Sequence, residues 1–405
     1  MACEDATVNW LNPTYSAKDE QGEAVSYRDG KRLAWAWSVI NPFFAWIGIG
    51  LYTLTDHVWL LWFPIVQGYV LFPLLDMLIG EDTNNPPEIL VPQLEADRYY
   101  RWLTYLVVPM HYVVFIGAAV WLARADLPWH GYLAVSITLG LAAGLGINTG
   151  HELGHKPRKL DRWLAKFVLA VPFYGHFWIE HNRGHHRQVS TPEDVASSRM
   201  GENIYRFALR EIPGACKRAW LLEKGRLERR GKSVWSRDND ILHSYAISIV
   251  LQGGILIGLG WQMLPFLVIH NVLAWWQLTS ANYIEHYGLL REKLPNGKYE
   301  PCAPYHSWNS NHKLTNQILF HLQRHSDHHA NMSRAYQSLR DFPDLPRLPN
   351  GYYGMFLVAY VPPLWFSVMD KRLLALKHIQ GDLSKVNVDP EKRAAIELKY
   401  GAERG

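Results

Sequence analysis

Residues 129–156 read WHGYLAVSITLGLAAGLGINTGHELGHK. An apolar run over 131–149 leads directly into His151-Glu152-Leu153-Gly154-His155. About 20 apolar residues is the length a helix needs to cross a bilayer core. Residues four apart share one helical face, so His151 and His155 stand together where a span meets water. Neutral imidazole is the commonest metal ligand and suits iron, zinc, copper and nickel. Three more clusters adjoin apolar runs: His181-Asn-Arg-Gly-His185-His186, the single His286 in Asn282-Tyr-Ile-Glu-His286-Tyr-Gly288, and His325-Ser-Asp-His328-His329. Helical spacing lets His181 and His185 converge on one point, and His325, His328 and His329 on another. One metal takes at most about four to six protein ligands, so nine candidates imply two metals.

Outward from these clusters the chain reads as an all-α integral membrane protein. Six spans are expected near 33–54, 57–79, 103–123, 131–149, 243–262 and 264–284, with Tyr52, Trp59, Trp62, Trp121, Trp129, Trp261 and Trp275 crowding their ends as in interfacial aromatic belts. A mean hydropathy of −0.14 is low for a bare bundle, so a substantial water-facing part is expected. Most Lys and Arg fall in 23–32, 80–102, 150–242 and 285–405. The positive-inside rule then puts both termini and all four clusters on the cytoplasmic side, under a helical cap built from 150–242 and 285–405. A further apolar run at 351–367 is broken by Pro362-Pro363 and reads as an interfacial or capping helix. The first thirty residues are polar and acidic with no signal-peptide pattern, so insertion is expected through uncleaved internal segments. No repeat or linker divides the chain, and 1–405 reads as one domain.

The three cysteines, Cys3, Cys216 and Cys302, are far apart without a C-x-x-C pair. That argues against a disulfide framework, a thiolate zinc site or an iron–sulfur centre. His151-Glu152-x-x-His155 also matches the zincin string, in which Glu152 would be the base of a zinc metalloprotease. The extended zincin pattern fails, because Arg158 and Asp161 stand where its Gly and third His would fall. Nine neutral imidazoles around two divalent ions leave about four positive charges to offset. Glu152, Glu180, Asp194, Glu285 and Asp327 lie next to the clusters and are expected as carboxylates that orient the imidazoles or balance their metals. His57, His111, His243 and His270 read as core residues. For His176, His306, His312 and His321 a pocket role and a structural role stay open; His321 shares helical spacing with His325.

The clusters HELGHK, EHNRGHH, NYIEHYG and LQRHSDHHA, with LDMLIGEDTNNPPE at 75–88, WWQLTSANYIEHYGLL at 275–290 and YQSLRDFP at 336–343, resemble the integral-membrane alkane 1-monooxygenases. The likeness runs over nearly the whole chain, and NYIEHYG separates it from the wider membrane desaturase and hydroxylase group. It implies a di-iron enzyme that hydroxylates the terminal methyl of n-alkanes with O2. Its electrons would come from NAD(P)H through a reductase and a rubredoxin, separate or fused beyond Gly405, at the bacterial inner membrane.

The chemistry of an alkane requires such a metal. An unactivated C–H bond offers neither an acidic proton nor an electrophile, so a redox metal must carry the chemistry while protein supplies position and dryness. Alkanes concentrate in the bilayer and can enter a helix-lined channel laterally. Gly68 leaves room beside such a channel, although helix packing at a small residue is its plainer reading. A fatty-acyl desaturase or hydroxylase and a zinc protease are the competing classes. A metal transporter fits poorly, because its ligands would line a midplane path. The segment 206–237 is rich in Lys and Arg. It reads either as a lipid-headgroup anchor or, through Arg226, Arg229 and Arg230, as a docking face for an acidic electron carrier.

Overall fold

The computed structural model describes residues 10–401. Its principal helices, in chain order, are α1 (Arg32–Thr55), α2 (Val58–Ile79), α3 (Arg98–Leu122), α4 (Trp129–Gly154), α5 (Lys159–Ala170), α6 (177–188), α7 (Ile204–Glu228), α8 (Asp240–Leu259), α9 (Leu264–His286), α10 (His325–Ala330), α11 (Tyr352–Tyr360) and α12 (Pro362–Leu374). Among the described residues five helices are long and apolar enough to cross a membrane: α1 to α4 and α8.

The sixth expected span, 264–284, is a continuous helix, α9, but it is not among those five. Its inner half carries Gln277, Ser280, Asn282, Glu285 and His286, all buried. These polar groups face protein, which lowers the helix's apolar character without exposing it to lipid. The 351–367 run does break: α11 and α12 meet at Val361 with a bend of 119°, since Pro362 cannot continue the amide ladder. An N-terminal antiparallel hairpin, β1 (Thr14–Lys18) and β2 (Ala24–Arg28) with Tyr15 opposite Tyr27, was not anticipated. It is fixed to the start of α3 by Tyr15, which donates to Asp97 at 2.8 Å, beside the Arg32–Asp97 ion pair at 2.5 Å.

The pairing of α4 with α9 positions the site. Gly140 and Gly144, one turn apart, let α9 approach: a Cβ at Gly140 would stand 2.8 Å from the His270 carbonyl, and one at Gly144 2.6 Å from Gln277 Cβ. Small residues at this spacing bring membrane helices into backbone contact. The carboxyl-terminal ends of α4 and α9 therefore deliver His151 and His286 to the same buried layer. A large apolar cluster, including Tyr283, Tyr287, Trp308, Trp365 and Met369, packs α9 against α12. Cys216 is exposed and Cys302 half-buried, both free thiols; Cys3 lies outside the described residues.

Candidate metal centre

All nine cluster histidines meet in this layer, in two groups that could each hold an ion: His151, His155, His181, His186 and His328 in one, His185, His286, His325 and His329 in the other. They point Nε2 inward. In the first group the Nε2 contacts are His151–His328 at 2.9 Å, His155–His181 at 3.1 Å, His181–His186 at 3.0 Å and His186–His328 at 3.1 Å. In the second they are His185–His329 at 3.2 Å, His286–His325 at 3.2 Å and His325–His329 at 2.9 Å.

These contacts fit metal ligation better than hydrogen bonding. One neutral imidazole has a single proton, yet His181, His186 and His328 each hold two close Nε2 neighbours. Nitrogens about 2.1 Å from a shared ion and at right angles stand about 3.0 Å apart. Burial, reinforced by neighbouring imidazoles, pushes His155, His181, His186, His328 and His329 well below the ordinary imidazole range. That direction favours the neutral form, which is the form that ligates.

The grouping corrects two expectations. His181 pairs with His186, not with His185, because 181–185 is a π-helical turn in which the His186 amide donates to the His181 carbonyl. A π turn closes at i+5, so the fifth residue stacks over the first, and adjacent His185 and His186 are sent to different groups. In α10, His325 and His329 converge at i+4 as expected, but His328 points to the other group. His151 with His155 and the unpaired His286 take the expected places.

The carboxylates divide by contact. Asp194 accepts from His185 Nδ1 at 2.8 Å, from Ser197 at 2.7 Å and from Arg218 at 2.7 Å. Burial opposes charge on both His185 and Asp194. Their contact nonetheless raises the imidazole, against the neighbouring Arg218, and His185 and Arg218 together hold the carboxyl well below its usual range. Glu285 brings an oxygen 3.4 Å from His325 Nε2. Glu180 acts through Arg218, whose Nε donates to it at 2.9 Å. Contrary to expectation, Glu152 and Asp327 touch none of the nine imidazoles. Glu152 pairs with Lys156 at 2.9 Å and accepts from the Tyr336 amide at 3.3 Å; Asp327 accepts from Asn331, Arg334 and the Arg340 amide. Each is buried and paired with a cation, Glu152 with Lys156 and Asp327 with Arg334. Sequence reasoning gave Arg218 no role here; its only visible signal was a basic residue in a basic segment.

Eight of the other ten histidines bear on the sequence reading. His111 and His270 are buried between spans, and His243 is half-buried, stacked on Trp163. His57 is exposed in the α1–α2 turn rather than in a core. His176 bonds Tyr245, His306 bonds Glu300, and His312 bonds Ser310. His321 bonds the Tyr336 carbonyl at a positive φ of 52°. The chain is not helical there, so it shares no face with His325. Arg226 is committed to Glu223 at 2.7 Å, while Arg229 and Arg230 are exposed.

An apolar cavity ends on His151, His181 and His325, thus on both groups, with Leu145 and Phe356 among its walls. A second cavity shares Leu141, Leu145 and Tyr353 with it and reaches Gly68. A Cβ at Gly68 would meet nothing within 4 Å, so this glycine borders space and does not mediate close helix packing.

A bundle of membrane helices that closes one end on two histidine groups defines a membrane-embedded metal-site protein, and residues 127–359 match the fatty acid desaturase family. The chain is 55% identical to alkane 1-monooxygenase 1 of Alcanivorax borkumensis over 96% of its length and 95% of that protein's. It is 54% identical to the alkane 1-monooxygenase of Pseudomonas putida over 93% of each. It is also 30% identical to a xylene/toluene monooxygenase hydroxylase component of Pseudomonas putida, over 58% of this chain and 62% of the other. The chain belongs to the alkane 1-monooxygenase family.

Proposed function

We propose that this protein hydroxylates the terminal methyl of n-alkanes, using O2 at a di-iron centre. The observation that carries the reading is the apolar cavity whose inner end is made of histidines from both donor groups. His151, His155, His181, His186 and His328 would hold one iron, and His185, His286, His325 and His329 the other, with Glu285 beside the second. Bound iron supplies the O2 and electron chemistry that no side chain offers. The chain's own groups do the rest. Asp194 fixes the His185 ring, and the Arg218–Glu180 pair fixes Asp194. The apolar walls exclude water and hold a methyl end-on, so regiospecificity follows from geometry. None of the residues that line this cavity is Lys or Arg, which favours a hydrocarbon over a charged acyl carrier.

The chain is a membrane protein. We place it as one catalytic domain in a bacterial inner membrane with the histidine layer toward the cytoplasm, where the Lys and Arg lie. Electrons would come from NAD(P)H through rubredoxin reductase and rubredoxin. His155 and His186 are half-buried while their three group partners are buried, which makes their edge the closest approach for a donor. The test is metal analysis with product identification on the purified full chain. Two irons per chain and a 1-alkanol from an n-alkane are expected. One zinc per chain with Glu152-dependent proteolysis would overturn the reading. Conversion of an acyl substrate but no alkane would move it to a desaturase or hydroxylase of lipids.

A further inference from the structure

A polar chain interrupts the apolar wall where the two cavities meet. Gln277 of α9 lines the inner cavity and Tyr69 of α2 the outer one, and Gln277 Nε2 donates to the Tyr69 hydroxyl at 2.7 Å. The Tyr69 hydroxyl lies 3.3 Å from that of Tyr360, which in turn lies 3.1 Å from Ser280 Oγ. Ser280 uses its proton on the Trp276 carbonyl at 2.7 Å, so it accepts from Tyr360, and the donors run in one direction from Gln277. The backbone of Tyr360 is held from the surface side. Tyr205, 48% exposed, donates to the Tyr360 carbonyl at 2.8 Å and stacks on Trp276 with ring centroids 5.7 Å apart. A line of side-chain polar groups thus runs from the cavity wall to Tyr360 and Ser280, and the exposed Tyr205 sits against the same Tyr360 and Trp276 at the start of α7.

An alkane cannot use any of these groups, since it neither donates nor accepts. A primary alcohol can. Formed at the histidine end, its hydroxyl would otherwise be dragged through an apolar channel without a partner, which is unfavourable. Gln277 stands eight residues before Glu285 on the same helix, about 12 Å away at 1.5 Å per residue. A hydroxyl held there is well clear of the donor groups. We infer that the Gln277–Tyr69–Tyr360–Ser280 chain is a hydroxyl-binding station that takes up the alkanol product as it withdraws and directs it toward the Tyr205 edge. Gln277 commits one amide hydrogen to Tyr69, and its carboxamide is the group that meets the alcohol. The station rests on reading this cavity as the hydrocarbon site.

Equilibrium binding separates the two ideas. Radiolabelled dodecane and 1-dodecanol are measured on the full chain in nanodiscs against empty nanodiscs, for the parent, Gln277→Leu, Tyr360→Phe and Ser280→Ala. The parent is expected to hold 1-dodecanol more tightly than dodecane. Tyr360→Phe, outside the cavity lining, should weaken the alcohol by roughly three- to tenfold, the worth of one hydrogen bond, with dodecane unchanged, and Gln277→Leu, in the cavity wall, should lower the preference for alcohol over dodecane by a similar factor. Ser280→Ala, the mildest change, keeps the test alive if the larger variants fail to fold, and should weaken the alcohol alone. Equal affinities in the parent, or variants in which both ligands move together or neither moves, would overturn the station. Absence of dodecane binding in the parent would instead overturn the hydrocarbon reading beneath it.

Discussion

Each imidazole in the centre has two nitrogens, and what Nδ1 meets decides how firmly Nε2 is aimed. His185 Nδ1 is held by Asp194, whereas Nδ1 of His155, His325 and His329 is buried with no protein partner. Asp194→Asn should therefore lower metal affinity about ten- to a hundredfold, the usual cost of losing a carboxylate behind a ligand. Glu152→Gln, which touches no imidazole, should change it far less. Metal titration followed by iron retention on dialysis checks both, and equal losses would discard the distinction. His151→Ala and His325→Ala each open one group and should abolish iron binding at that group along with turnover. His286→Ala is the sharper case, because its place rested on a lone histidine at the end of a helix. Full activity there would reduce the set to eight.

At the scale of elements, the i, i+4 rule was legible and mostly held. It brought together His151 with His155 and His325 with His329. It failed at 181–186 because nothing in Asn-Arg-Gly announces a π turn; the cause is tertiary. Gly184 lets Arg218 lie against that turn, where a Cβ would stand 2.8 Å from the Arg218 Nε, and α7 supplies the arginine from far along the sequence. The hairpin was missed because two five-residue strands offer little periodicity. Helix α7 also carries Glu211, fully buried, which accepts from Thr279 at 2.8 Å and from Asn282 at 3.2 Å on α9. Burial pushes its carboxyl up to about 7 from 4.5. Between those values the folded state keeps a proton that the unfolded state has lost, so this group's contribution to stability falls as pH rises. Its slope is about 1.4 kcal/mol per pH unit. Glu211→Gln should flatten that part of the profile and gain on the parent above pH 7, measured by thermal unfolding in detergent. A parallel shift at every pH would contradict it. On α2, Gly68 borders the outer cavity with open space beside it. Gly68→Trp should fill that space and shift turnover toward shorter n-alkanes, with iron content unchanged. An unaltered length profile would mean that the chain does not run past Gly68.

For the whole molecule the open question is how electrons reach a buried centre. Cys216 and Cys302 are free thiols, and the proposed electron supply is a rubredoxin that docks on this chain. The basic tract of α7 and its following turn offers one docking face, but its members are not equal. Arg226 is tied to Glu223 and lies 3.8 Å from Asp240, where it braces the α7–α8 corner, while Arg229 and Arg230 are exposed. Reversal of Arg226 would leave Glu223 facing a second carboxylate and risks the fold, because breaking a buried pair costs about 3–5 kcal/mol. Arg229→Glu with Arg230→Glu is the cleaner test. If an acidic rubredoxin docks on this face, long-range attraction sets its on-rate. The double variant should then slow rubredoxin-dependent turnover and flatten its dependence on salt, with turnover driven by a small chemical reductant preserved. Should the variant keep the parent's rate and salt response, α7 is a lipid anchor. Exposed Leu209, Leu221 and Trp235 then explain its basic charge as contact with headgroups, and electrons enter at the half-buried edge of His155 and His186.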